Sequence, residues 1–200
     1  IDDSGQVVNH TIEKSVINSC ARLVYDDVSD ILEHDDPVQS EKLNEILAEI
    51  KMMGDLAEIL RNKRKHQGSL DFDLDEAVIE VDEYENPIRI EVEERRTANR
   101  LIEEFMLIAN ETVAEHFFWM EIPFVYRIHE KPDVEKMTEL RNYLANFNIA
   151  FRGNPDNVHP KMLSTIIDNL AGEPYEAIVN RVILRTMKKA YYGTSCDGHF

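Results

Sequence analysis

Two adjacent carboxylates, Glu103 and Glu104, interrupt the apolar stretch "NRLIEEFMLIANETVAEHFFW" over 99–119. A titratable side chain at the edge of a packed face is the kind of group found in functional clefts. It is equally the kind that ties a loop or an arginine to a helix, and the residue pattern leaves both readings open. Turned at about 100° per residue, Leu101, Ile102, Phe105, Ile108, Ala109, Val113 and Phe117 form one broad apolar arc. Our reading puts Glu104 opposite that arc, on a solvated face with Glu111, Glu115 and an i, i+4 partner, Arg100. It puts Glu103 on the border of the arc, in a polar stripe with Arg96, Asn99, Leu107 and Asn110. The two glutamates are therefore not equivalent: Glu104 reads as surface decoration, and Glu103 as a border carboxylate for which a structural role is the plainer reading and a site role the alternative.

Other candidates carry weaker patterns. "DFDLDE" resembles the opening of a calcium loop, but counting from Asp71 puts Glu76 at the sixth position and Asp82 at the twelfth, where that loop needs Gly and Glu. An alternating strand with a wet face explains it more simply. Phe72 within it reads as core or as a stacking ring. Tyr25, just ahead of a helix, reads as a core residue or a base platform, since aromatic rings stack bases without needing positive charge. His129 in "YRIHEKPD" is a lone histidine after an apolar strand, a pattern that favours a structural role. No nucleophile elbow, P-loop or GxGxxG turn occurs.

The elements that must position these groups follow from periodicity. Val16, Ile17 and Leu23 point to strands over Val7 to Leu23. A short helix is expected over Tyr25 to Glu33. A long one runs from Pro37 to about His66, with Gly68 ending it. Period-two alternation marks 70–75, with Leu70, Phe72 and Leu74 on one side and Asp71, Asp73 and Asp75 on the other. Val78–Val81 and Ile88–Val92 form a hairpin around "YENP". A helix over about Arg96 to Met120, a strand in "IPFVYRIHEKPD", a helix from Pro132-Asp133 to Phe147 and two more helices complete the chain. The fold class is α+β, with a mostly antiparallel sheet packed against several helices and one long buried helix near 96–120.

Composition sets limits. Of 200 residues, 43% are apolar and 30% charged, enough for a soluble domain with a real core. No apolar run approaches the roughly 18 residues of a membrane span, and no signal-peptide pattern opens the chain. Cys20 and Cys196 lack zinc-type neighbours, so reduced thiols in a cytoplasmic protein are the plain reading. The net charge of −17 opposes polyanion binding unless a local positive site, bound cations or basic parts elsewhere compensate. Both ends read as cuts through a longer protein, an incomplete domain.

Five blocks in order resemble one family: "SVINSCARLVYDDVSDIL", "GSLDFDLDEAVIEV", "RRTANRLIEEFMLIANETVAEH", "PFVYRIHEKPD" and "MKKAYYGTSCDGHF". Together they resemble the RNB catalytic domain of the ribonuclease II and ribonuclease R family, with wording nearer the bacterial ribonuclease R branch. The resemblance implies a processive 3′-to-5′ exoribonuclease that hydrolyses single-stranded RNA to nucleoside 5′-monophosphates, using Mg²⁺ and flanking OB-fold domains. It implies that 1–200 is the central part of a single catalytic domain, supplying the part of the channel that holds the RNA 3′ end. The family's aspartate metal box would lie upstream and its arginine-rich signature downstream. No metal ligand is thus assigned within these residues, and the isolated piece is expected to be inactive. By the same resemblance Glu103 matches the catalytic-site glutamate that contacts the 3′-terminal ribose. Tyr25 matches a tyrosine linked to ribose discrimination, and Phe72 an aromatic that clamps the terminal bases. Asn99, Asn110 and His129 are supporting neighbours. "LVY", where many members read "LTY", is a small departure. A non-enzymatic scaffold with an acidic face, or an RNA-binding protein without chemistry, are the rival readings.

Overall fold

The structure, a computed structural model, describes residues 1–72 and 76–196. Its class is α+β: seven α-helices and two separate two-stranded antiparallel pairs among the described residues. The chain divides into two compact units, Ile1–Lys63 with Asp75–Thr112, and Arg64–Leu74 with Val113–Phe200.

In the first unit, α1 (Tyr25–His34) opens with Asp26 and Asp27 in its first turn, where carboxylates complement the positive end of the helix dipole. It ends at Asp35, which takes a left-handed φ of 50°. Pro37 starts α2 (Pro37–Lys42), and the Asp36 carboxylate accepts from the Val38 and Gln39 N–H groups. The expected single long helix is in fact broken at Leu43, whose φ of −107° leaves the helical range. A short 3₁₀ turn (Asn44–Ile46) follows, then α3 (Leu47–Gln67). The break turns Leu43, Ile46 and Leu47 against the buried Val28, Ile31, Ile50 and Ala98, the core of this unit. The hairpin β1 (Glu76–Val81) and β2 (Pro87–Glu93) pairs Ala77 with Val92 and Ile79 with Ile90. It leads into α4 (Thr97–Trp119), within one residue of the expected helix.

The strands expected over Val7 to Leu23 do not form; that stretch runs as irregular, largely exposed chain. Its β-branched residues have the right propensity, but β propensity expresses fit to a neighbouring pleated surface, and no described strand pairs with it. Likewise Leu70–Phe72 form no strand, and Asp73, Leu74 and Asp75 lie outside the described residues. The sheet is thus less continuous than the pattern implied.

In the second unit, α3 ends in a Schellman turn. Ser69 N–H donates to Arg64 O at 3.1 Å and Gly68 N–H to Lys65 O at 3.0 Å. Gly68 is required there: its φ is +100°, and a Cβ would sit 2.6 Å from the Lys161 amide nitrogen. β3 (Tyr126–Ile128) pairs with β4 (Tyr191–Gly193). The helices α5 (Val134–Ala145), α6 (Pro160–Leu170) and α7 (Glu176–Thr186) bury Met137, Leu140, Leu144, Leu163, Val179 and Ile183 in one core.

Candidate functional site

The link between β2 and α4 is Glu94-Arg95-Arg96, and its two arginines diverge. The Arg96 guanidinium reaches α1. Its Nη2 lies 2.6 Å from Asp30 Oδ1 and 2.7 Å from Glu33 Oε2, and its Nη1 lies 3.6 Å from Asp26 Oδ1. α1 also caps α4. Thr97 N–H donates to Glu33 Oε1 at 2.8 Å and Ala98 N–H to Ser29 Oγ at 3.1 Å. These are among the amides that a helix start leaves unsatisfied, and here they are met from a helix more than sixty residues away. The Arg96 contact, then the Thr97 amide, hold the Glu33 carboxyl at about 2, far below its ordinary 4.5. The same contacts with Asp30 and Glu33 raise Arg96 further into its charged range. The effect is to fix the start of α4 against α1.

That fixed start sets the rotation of α4, and with it the two glutamates. Glu104 is 3% exposed, buried beside Ala98 and Leu101 on the inner face. The expected solvated position for Glu104 is overturned, and the reason is angular. Three residues turn a helix by about 300°, which leaves Glu104 about 60° from Leu101 and inside the apolar arc. Glu103, about 200° from Leu101, faces away from the arc's centre rather than lying on its border. Its polar stripe is as expected: Asn99 is half-buried and Asn110 exposed, both on the same side of the helix as Glu103. The Glu103 side chain is 40% exposed, and its Oε2 accepts from Arg95 Nη2 at 2.5 Å.

Tyr25, the first residue of α1, is half-exposed. It borders an apolar pocket of about 220 Å³ whose other lining residues include Val28, Ile50, Ala98, Leu101 and Ile102. Tyr25 is thus placed against the first turns of α4, the segment that also carries Glu103. The first unit therefore offers a ring at the mouth of an apolar hollow. On the outward side of α4 it also offers a charged acceptor, Glu103, pinned by the Arg95 guanidinium. The hollow can receive a flat apolar group and the carboxylate can accept from a hydroxyl, but the structure sets them on different sides of α4 and does not bring Tyr25 and Glu103 together.

Phe72 and His129 belong to the second unit. Phe72, with Leu70, is half-buried and packs against the core of α5, α6 and α7. His129 directly follows β3 and is half-buried. Next to it, Glu130 accepts from Lys188 Nζ at 2.9 Å and from the Tyr191 hydroxyl at 3.0 Å. Lys188 and Tyr191 hold the Glu130 carboxyl below its ordinary range.

Among the described residues no three His, Cys, Asp or Glu side chains converge in a way that could hold a metal ion. The carboxylates of Asp26, Asp30 and Glu33 on α1 converge on the Arg96 guanidinium instead. These residues do not fit a magnesium centre, and no chemical step is assigned through one here. Also among the described residues, no helix is long and apolar enough to cross a membrane.

Sequence reasoning missed Ser29, Glu33 and Arg95. The one signal available was the Arg95-Arg96 pair at a strand-to-helix link, facing an acidic α1 with Ser29 and Glu33 one turn apart.

Comparison with known proteins agrees with this architecture. The chain is 36% identical over its whole length to ribonuclease R 1 of Lactococcus lactis subsp. lactis (strain IL1403), covering 24% of that protein. It is 40% identical to ribonuclease R of Aquifex aeolicus (strain VF5), again over the whole chain and covering 28% of that protein. It thus spans about a quarter of the length of these curated relatives. Among solved structures, Mycoplasma genitalium RNase R in complex with ribose methylated single-stranded RNA superposes with a TM-score of 0.80. That match has 28% identity and covers 88% of this chain and 27% of that one. The same protein in complex with double-stranded RNA gives a TM-score of 0.78 at 27% identity, covering 88% of this chain and 31% of that one. The family model described as RNB domain matches residues 1–200. The chain belongs to the RNB domain family.

Proposed function

We propose that this chain is the central part of the catalytic domain of a processive 3′-to-5′ exoribonuclease. In this reading the enzyme hydrolyses single-stranded RNA to nucleoside 5′-monophosphates, and the present residues hold the RNA 3′ end. The observation that carries it is the half-exposed Glu103 carboxylate, held by Arg95 on the outward side of α4. Identity over the whole of this chain with about a quarter of ribonuclease R proteins supports the reaction class, as does likeness to a ribonuclease R solved with ribose methylated single-stranded RNA.

Glu103 accepts a hydrogen bond from the 2′-hydroxyl of the terminal nucleotide, the group that distinguishes RNA from DNA. Tyr25 flanks that sugar. Phe72 stacks a terminal base, a contact worth about 1–3 kcal/mol. Asn99 and Asn110, on the Glu103 side of α4, support its carboxylate, and His129 has a supporting part within the second unit. The net charge of −17 means that phosphate is met by parts beyond these residues. In this reading those parts are Mg²⁺ ligated outside them, which supplies water activation and charge neutralisation when bound, and flanking OB-fold domains. The enzyme works in the cytoplasm.

The test uses the whole protein on 5′-labelled single-stranded RNA. Stepwise shortening from the 3′ end with mononucleotide release is expected, and Glu103→Ala slows turnover more than it weakens RNA binding. Robust mononucleotide release by the 200-residue chain alone would contradict the placement of the metal centre outside it.

A further inference from the structure

The pairing of Arg95 with Glu103 carries an inference about sugar selection. Glu103 sits on the outward side of α4 with 40% of its side chain exposed. A glutamate in that setting has three rotatable bonds and loses its orientation unless something holds it. Arg95 holds it: its Nη2 donates to Glu103 Oε2 at 2.5 Å across eight positions of sequence. Its neighbour Arg96 is committed to Asp30 and Glu33 of α1, which anchors the backbone from which Arg95 extends. An ionised carboxylate offers about four lone-pair sites, so a carboxylate oriented by a guanidinium can still accept from a substrate hydroxyl.

We infer that Arg95 is a positioning residue that holds the Glu103 carboxylate in the orientation that discriminates a 3′-terminal ribose from a 2′-deoxyribose. This inference rests on the proposed role of Glu103. Arg95 itself meets neither the sugar nor the scissile phosphate. It acts by keeping one acceptor in place, so its loss is felt on substrates that carry the 2′-hydroxyl and hardly on those that lack it. A residue that only stabilised the fold would lower both substrates alike.

The experiment uses the whole protein and two single-stranded oligoribonucleotides of one sequence, ending 3′ in ribose or in 2′-deoxyribose. kcat and KM are measured for the first hydrolytic step, with thermal melting recorded for every variant. Arg95→Ala is expected to lower kcat on the ribose-ended strand by up to about a hundredfold, the scale of a 1 Å misplacement of an orienting group, with a smaller change in KM. The ribose-to-deoxyribose preference then collapses toward one. Arg95→Lys, which keeps a cation and a donor, restores part of the preference and also serves if the alanine variant folds poorly. Arg95→Ala combined with Glu103→Ala is no worse than Glu103→Ala alone. If Glu103→Ala abolishes the preference while Arg95→Ala and Arg95→Lys retain it in full, the positioning role is overturned and the reading of Glu103 stands. If Glu103→Ala itself retains the preference, the reading of Glu103 falls and the inference falls with it.

Discussion

The two units hold their helices in contrasting ways. In the second, α5, α6 and α7 meet through side chains such as Leu163, Val179 and Ile183, none of which is exposed at all. In the first, the buried apolar core is small, and α1 is joined to α4 by charge and hydrogen bonds: Arg96 to Asp30 and Glu33, Glu33 to the Thr97 amide, Ser29 to the Ala98 amide. The first unit also shows water a nearly continuous apolar face on its hairpin, with Ile79, Ile90 and Val92 all more than half exposed. Apolar packing is tolerant of small rotations and repays area. Directional bonds at a helix start fix rotation, and rotation decides which of two adjacent glutamates faces inward. The unit that positions the candidate site uses the directional method.

The largest expected effect comes from breaking the apolar unit. Leu163→Ala removes a fully buried side chain from between α6 and its neighbours, and such truncations cost about 3 kcal/mol. Hydrogen exchange should show protection falling across α5, α6 and α7 while the α4 start is spared. Equal loss in α1 and the first turns of α4 would mean that the two cores behave as one.

A smaller effect is expected at the joint of the first unit. Ser29→Ala leaves the buried Ala98 amide without its acceptor, a cap loss of about 1 kcal/mol. Exchange at Ala98 should accelerate far more than exchange within α7. An unchanged rate at Ala98 would show that the serine is not the cap.

The effect most informative on changing pH concerns Glu33. Its folded carboxyl titrates at about 2 instead of the ordinary 4.5. Its contribution is therefore fully present above about 4.5 and is lost as pH falls toward 2. Thermal melting followed by a probe on α1 should decline across that window, and Glu33→Gln should flatten part of the decline. Asp2, Asp35, Asp82 and Glu130 are also held below their ordinary range and act in the same direction. The variant thus removes a share of the slope and not all of it. An identical slope in the variant would show that Arg96 and the Thr97 amide do not favour the ionised form.

What the sequence disclosed follows the same division. α5, α6 and α7 were legible because burial by apolar packing writes itself into residue spacing. α4 was legible to within a residue for the same reason, and the five family blocks pointed to the RNB domain before any geometry. The caps on α4 were not legible. Ser29 and Glu33 act across 69 and 64 positions, and no local pattern encodes a cap that comes from another helix. The 7–23 stretch misled because β-branched residues register a preference for a strand without naming a partner. The helix break at Leu43 was hidden because a 3₁₀ turn keeps enough of the three-to-four spacing to pass as one helix. The inequality of Glu103 and Glu104 was readable in principle. The correct stripe was assigned to Glu103, yet Glu104 was set on the wet side although three residues bring a helix nearly back to its starting face.

Glu103→Ala and Glu104→Ala, made separately in the whole protein, test the central claim most directly when thermal melting and single-turnover RNA hydrolysis are measured on both. Glu103→Ala should keep its melting temperature and lose hydrolysis of ribose-ended RNA, while Glu104→Ala, which empties a buried position, should melt several degrees lower. Loss of hydrolysis without loss of stability in Glu104→Ala, with Glu103→Ala unaffected in both, would reverse the assignment and contradict the account.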